Sequence, residues 1–466
     1  MSLEVTRRGR VTKFKSNTYN KPLRMMNKPI STFIINLKKR TDRKKYAIKE
    51  FSTRPEFAIN IVEAIESAGG ALGLWKTIQM IVSKARLSND DYIIICEDDH
   101  KFTKNYNKEY LENSIAIAHS KDADVLFGGV SWFSNSIKID DQLFWVENFS
   151  GTQFFVVFRK FFDTIHAAVL DDENPADYKI GNLTNNKILM YPFISVQKEF
   201  GYSDTTWRNN EEGRVSGLFK AAQGWMKLLE NVSGYYKSAE IPEDIVEADI
   251  FETTTLPTYV INLPERTERL VHIKEQFEGR NEFDVTFVRA YKHKVGAFGL
   301  WKTIRKIVKM AIERDEDVIV ICEDDHIFTE QYSKEYLIRN IIEAHAHGAK
   351  YLSGGTGQFG YAVPITENRY WVSHCLSAQF LVIYKRFFKE ILARPYDKSV
   401  IADMLYSEMT SSKMVLYPFI SLQKDFGYSD VTELHNKDKT IVSRLFAQSN
   451  KRLNNIQSAY RKYHGS

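Results

Sequence analysis

Apolar residues fall along this chain in two rhythms, a short run that suits a strand and a stripe at helical spacing, and the alternation is written twice. The runs TFIINL (32–37) and TYVINL (258–263) are short, apolar and β-branched, so each predicts a strand. Each leads into a charged segment, KKRTDRKKYAIKEF or PERTERLVHIKEQF, that predicts a helix opened by Thr41 or Thr267. FAINIV and FDVTFV predict the next strands. After them Leu74, Trp75, Ile78, Ile81, Val82 and Ala85 are apolar at helical spacing, as are Leu300, Trp301, Ile304, Ile307, Val308 and Ala311. Such stripes are core. YIIIC and VIVIC are apolar on both faces, the mark of a central parallel strand covered by helices on each side. The fold class that follows is α/β with mostly parallel central sheets.

The two copies stand at a constant offset of 226, seen at Asn36/Asn262, Trp75/Trp301, Cys96/Cys322, Asp177/Asp403 and Asp204/Asp430. ALGLWKTI (71–78) faces AFGLWKTI (297–304), and YPFISVQKEFGYSD (191–204) faces YPFISLQKDFGYSD (417–430). A unit this long is far beyond the 20 to 50 residues of a solenoid repeat, so each copy is expected to be a complete domain. The expected domains are 30–235 and 256–466, joined by an acidic linker at 236–255 that contains Pro242. Helix-like stretches near 214–230 and 441–462 close the two copies.

Composition narrows the class. With 43% hydrophobic residues, 13% aromatics and 11 prolines in 466 residues, the chain has the side chains for two large cores and no disordered or fibrous bias. No apolar run approaches the roughly 18 residues of a membrane-spanning helix, and three cysteines cannot form a disulfide framework. A cytoplasmic protein is expected. A net charge of +5 is too small to argue for nucleic acid. Residues 1–29 do carry eight Lys or Arg against the single acid Glu4, which reads as a basic arm able to meet an anionic membrane surface, or as a plain solvated tail.

Directly after the buried strand each copy places Glu97, Asp98, Asp99 and His100, or Glu323, Asp324, Asp325 and His326. Adjacent acids repel one another beside an apolar strand, so something cationic must compensate them. Ligands of open α/β sheets bind at the carboxyl ends of strands. Hard oxygen ligands there suit Mg²⁺ or Mn²⁺ bridging to the phosphates of a nucleotide. Arg40 and Arg43, like Arg266 and Arg269, stand three apart at a strand-to-helix turn and are candidates for a diphosphate, or for an ion pair.

INLKKRTDR and INLPERTER, the Gly-rich entry to the tryptophan helix, CEDDH, and GTQFFVVFRKFF (151–162) with SAQFLVIYKRFF (377–388) together resemble glycosyltransferase family 25, which includes lipopolysaccharide sugar transferases and collagen galactosyltransferases. The resemblance covers almost all of both copies. It implies GT-A-type (Rossmann-like) nucleotide-sugar domains, a UDP-sugar donor, a divalent metal on the acidic triplet, and transfer with inversion to a glycan or lipid-linked acceptor. On that pattern Asp99 and Asp325 hold the metal, with Glu97 and Glu323 nearer the ribose or the metal waters. The family's Ser-His pair before the helix tryptophan is missing, its places held by Gly70 and Ala71, and by Gly296 and Ala297.

Inversion needs a carboxylate to take the acceptor proton. Asp177 and Asp403 are the first candidates; Asp204 and Asp430 are the alternatives or complete the metal shell. His100 and His326 read as supporting groups beside the acids, and Gln153 and Gln379 as candidates for an acceptor hydroxyl. Competing readings are one catalytic domain with a binding partner domain, and a metal-dependent nucleotidyltransferase or nucleotide-sugar binding protein.

Overall fold

The apolar alternation resolves into two eight-stranded sheets, one per half. The computed structural model describes residues 29–67, 70–169, 174–202, 207–238, 250–376, 378–395, 402–427 and 440–465. The first half runs β1 (Ile30–Asn36), α1 (Thr41–Phe51), β2 (Phe57–Glu63), α2 (Gly70–Ala85), β3 (Tyr92–Glu97), β4 (His100–Phe102), α3 (Lys108–Ser120), β5 (Val125–Phe127), β6 (Trp132–Phe133) and β7 (Ser136–Lys138). It continues with β8 (Leu143–Val146), β9 (Phe149–Ser150), β10 (Phe154–Phe158), α4 (Phe162–Ala167), α5 (Ala176–Leu183), β11 (Lys187–Met190), β12 (Ser195–Gln197) and α6 (Arg214–Ser238).

The sheet order is β2-β1-β3-β10-β5-β11-β8-β7, with β10 and β8 running against the other strands. The sheet is therefore mostly parallel, as the strand pattern predicts. β3 is covered on both faces: Ile94 and Cys96 meet the core of α1 and α3, and Ile93 and Ile95 meet the core of α2 around Trp75. The tryptophan stripes are core, with Trp75 and Trp301 fully buried. Thr41 is the first residue of α1 but does not cap it; that position belongs to Arg40, which makes no side-chain cap bond, and Arg266 is the same. The second half, from Leu256–Asn262 onward, repeats this sheet order strand for strand.

The closing helices do more than end their halves. The helix Ile441–His464 buries Leu453 and Ile456 in the same core as Ile137 and Ile139 of the first half. α6 shares a core with Val363 and Trp371 of the second. Arg452 donates to Asn135 Oδ1 at 2.8 Å, and Tyr361 donates to the Phe133 carbonyl at 3.2 Å. The halves are thus held together by apolar surface and by hydrogen bonds across the join.

Of the expected linker at 236–255, α6 reaches Ser238 and a one-turn helix spans Ile250–Thr253; 239–249 lie outside the described residues, as does all but the last residue of the basic arm at 1–29. The three cysteines are free and buried. Among the described residues no helix is long and apolar enough to cross a membrane.

Candidate active site

The GLWKT segment builds one wall of the site. A Cβ on Gly73 would stand 2.3 Å from the Ile65 carbonyl oxygen, and one on Gly299 would stand 2.2 Å from that of Tyr291. Only glycine lets the loop after β2 lie this close to α2. Thr77 then fixes the loop, its hydroxyl accepting from the Ile65 N–H at 2.9 Å and donating to the Gly73 carbonyl at 2.7 Å. Thr303 does the same for Tyr291.

The three acids at the end of β3 have different surroundings. Asp98 is buried and its charge is answered inside the fold: Asn36 donates to it at 2.8 Å, Arg43 lies at 3.3 Å and Arg40 at 3.8 Å. Asp324 has the same partners, Asn262 at 2.9 Å, Arg269 at 3.1 Å and Arg266 at 3.8 Å. Asp98 and Asp324, expected among the ligand contacts, brace the strand-to-helix turn. Arg43 and Arg269, expected at the diphosphate, are buried and paired with these carboxylates, and Arg43 lines the cavity wall together with Arg40.

Asp99 and Glu97 face outward. Asp99 Oδ2 meets Arg43 at 3.4 Å, while its Oδ1 is buried without a protein partner. In the second half Asp325 Oδ2 accepts from Arg269 at 3.1 Å and from Gln423 at 3.0 Å, and its Oδ1 is likewise unpartnered. Burial, then the charge of Asp98, push the Asp99 carboxyl up to about 6 against the pull of Arg43 and Arg40. Burial and the neighbouring Asp99 push Glu97 up to about 8, with Asp98 and Asp177 adding to it and the Thr152 hydroxyl, 2.7 Å away, opposing. Asp325 is raised, chiefly by burial.

These groups open onto a cavity of about 480 Å³ at the carboxyl end of β3, bounded by Glu97, Asp99, Arg40, Thr152, Asp177, Gln197 and Tyr202. Asp177 lies in the first turn of α5, where Ser150 donates to its Oδ2 at 2.7 Å and the Gly151 N–H approaches at 3.3 Å. The structure thus brings Glu97, Asp99, Asp177 and Arg40, each a candidate from the sequence, to one cavity. Asp403 lies in the first turn of the matching helix, its side chain outside the described residues, and Asp204 and Asp430 also lie outside them.

His100 and His326 are not at the cavity. Each is buried, held neutral by burial that lowers it to about 3, and paired through Nδ1 with Ser195 at 2.8 Å or Ser421 at 2.7 Å. Gln153 and Gln379, expected at an acceptor hydroxyl, are buried and donate to the Gly129 and Gly355 carbonyls. The pattern missed Gln197, Gln423, Ser150 and Thr152. Gln197 and Gln423 had a signal, since both sit in the most closely repeated segment.

A divalent cation fits this donor set in one particular way. Among the described residues no three or more Asp, Glu, His or Cys side chains are grouped to hold an ion alone. Two carboxylates remain, Glu97 and Asp99, the latter with one unpartnered buried oxygen, so a hard divalent cation here would be held partly by protein and partly by ligand oxygens.

The chain matches no protein-family description and no curated protein. Among solved structures it overlaps A197 from STIV at 13% identity, covering 38% of this chain and 87% of that one, with a TM-score of 0.28. A UDP-glucose pyrophosphorylase complexed with UDP-glucose overlaps at 10% identity, covering 43% and 81%, with a TM-score of 0.26. The glycosyltransferase GlyE of Streptococcus pneumoniae TIGR4 overlaps at 9% identity, covering 68% and 99%, with a TM-score of 0.22. At these scores the functional reading rests on the site's own residues.

Proposed function

We propose that this chain is a nucleotide-sugar-dependent glycosyltransferase that moves a sugar from a nucleoside diphosphate, UDP being the expected nucleotide, to a hydroxyl of a saccharide or lipid-linked acceptor. One observation carries the reading. Two outward carboxylates with raised pKa, Glu97 and Asp99, share a cavity with a third, Asp177, and with Arg40, at the carboxyl end of the central strand. The motif resemblance to glycosyltransferase family 25 supports the same reading and supplies the expectation of inversion.

Glu97 and Asp99 would hold a Mg²⁺ or Mn²⁺ ion, which when bound supplies Lewis-acid stabilisation of a leaving diphosphate. Arg40 adds positive charge to the same wall. Asp177 is held by Ser150 and the Gly151 N–H through Oδ2, a fixed orientation suited to a general base that takes the proton of the attacking hydroxyl. A second reading, in which only the first half catalyses, is favoured by one difference: Ser150 and Thr152 are replaced by Leu376 and Ala378 in the second.

The test is a screen of UDP-sugars with saccharide acceptors, following UDP release. Asp177→Asn combined with Asp403→Asn should lower turnover by about 10²- to 10⁴-fold without weakening UDP binding, and Asp177→Asn alone should remove the first half's share. Unchanged turnover in the double variant would remove these aspartates as the base. Full loss in Asp177→Asn with no effect of Asp403→Asn would favour the single catalytic half.

A further inference from the structure

The rims around the loop after the second strand differ in charge between the halves. In the first half Lys38 faces Glu63 at 4.0 Å and Lys39 faces Glu66 at 3.9 Å, so the rim is balanced. At the matching positions the second half has Pro264, Glu265, Arg289 and Lys292, with Glu265 paired to Lys292 at 2.9 Å. Lys294 and Lys306 then stand where the first half has Ala68 and Met80. Taken together, and despite the loss of Lys38 and Lys39, these changes turn a formal charge of zero into +3, and Arg289, Lys292, Lys294 and Lys306 are all exposed.

The charges converge on a concave surface. The second half has a cavity of about 400 Å³ running from Arg266, Glu323 and Asp324 to Lys292 and Lys294. Beside it lies a recess of about 310 Å³ that shares Tyr291 and Lys292 with the cavity and adds Arg289 and Lys306. The matching cavity of the first half is about 240 Å³ and is walled by Lys39, Glu66 and Ser67. Three cations around a small recess, with a single acid among them, are the arrangement that attracts and holds a phosphate.

We propose that the recess formed by Arg289, Lys292 and Lys306 is a phosphate subsite of the second half, adjoining the cavity that runs to Arg266 and Glu323 and without an equivalent charge set in the first. The inference deepens the nucleotide-sugar reading by assigning the two halves different preferences. The phosphate comes either from the donor's own diphosphate or from a separate phosphorylated ligand, and both present the same dianionic chemistry.

Calorimetric titration of inorganic pyrophosphate and, separately, of UDP with Mn²⁺ into the full chain distinguishes these sources. The variants are the pair Arg289→Glu with Lys292→Glu, which imposes the first half's charges, and the reciprocal pair Glu63→Arg with Glu66→Lys, with circular dichroism to confirm folding. Pyrophosphate should bind wild type in a salt-sensitive way, weaken about tenfold or more in the first pair, and gain affinity in the reciprocal pair. If UDP weakens in parallel, the subsite serves the donor. If UDP is unaffected while pyrophosphate is lost, it serves a second phosphorylated ligand. Pyrophosphate binding that survives while UDP never binds would sink the nucleotide-sugar reading and leave the subsite standing. Pyrophosphate binding that is absent from wild type, or unchanged in Arg289→Glu with Lys292→Glu, would overturn the subsite.

Discussion

Replacing Asp99 with asparagine should stabilise the cation-free protein, and by an amount that depends on pH. The Asp99 carboxyl is lifted from its ordinary 3.8 to about 6, by burial first and Asp98 second. The folded chain therefore binds more protons than the unfolded chain between those values, so wild-type stability falls as pH rises through that window and stays low above it. A lift of about two units at about 1.4 kcal/mol per unit sets a ceiling of about 3 kcal/mol. Glu97 repels Asp99 and its charge changes in response, which lowers the expected gain to about 1–3 kcal/mol at pH 8. At pH 4.5 wild-type Asp99 is already mostly protonated, and the gain should shrink below about 1 kcal/mol. Asparagine keeps the shape and can still accept from Arg43. The assay is urea denaturation of wild type and Asp99→Asn at both pH values in the presence of a chelator, comparing midpoints at constant slope. Millimolar Mn²⁺ should then stabilise the wild type more than Asp99→Asn, which keeps only the second half's carboxylates. A variant less stable than wild type at pH 8, or a gain that ignores pH, would mean that the carboxylate is satisfied within the fold and needs no cation.

Asp98→Ala should behave in the opposite way, losing about 3 kcal/mol, because it strips one of two carboxylate partners from the buried Arg43 and the acceptor from Asn36; a loss under about 1 kcal/mol in the same denaturation assay would remove its bracing role. Gly73→Ala should cost about 1–3 kcal/mol, since the new Cβ would press on the Ile65 carbonyl, and should speed proteolysis of the loop after β2. Unchanged stability and cleavage would show that this loop does not depend on the close approach.

The sequence made the scaffold readable because its signals are local. YIIIC is apolar on both faces and becomes the doubly covered β3, and the six-residue stripe around Trp75 becomes the buried face of α2. The site was readable only as a composition. Glu97, Asp98 and Asp99 look alike in a string, yet Asp98 turns inward because Asn36 and Arg43, brought from a strand and a helix some sixty residues earlier, meet it there. Ser195 pairs with His100 across 95 residues, and Ser150 holds Asp177 from a short strand with little periodicity. Each of those contacts is made by the topology of the sheet, and no window of sequence contains it. The crossing of the closing helices between halves is of the same kind: their apolar faces are visible in the pattern, but not the half they cover.

The decisive measurement is a calorimetric titration of UDP with Mn²⁺ into wild type, Asp99→Asn, Asp325→Asn and the double variant. Binding at two sites, each removed by its own substitution and both removed in the double variant, is the expected result. Folded proteins that bind no UDP with Mn²⁺, or that bind it equally in all four, would contradict a nucleotide site built on these carboxylates.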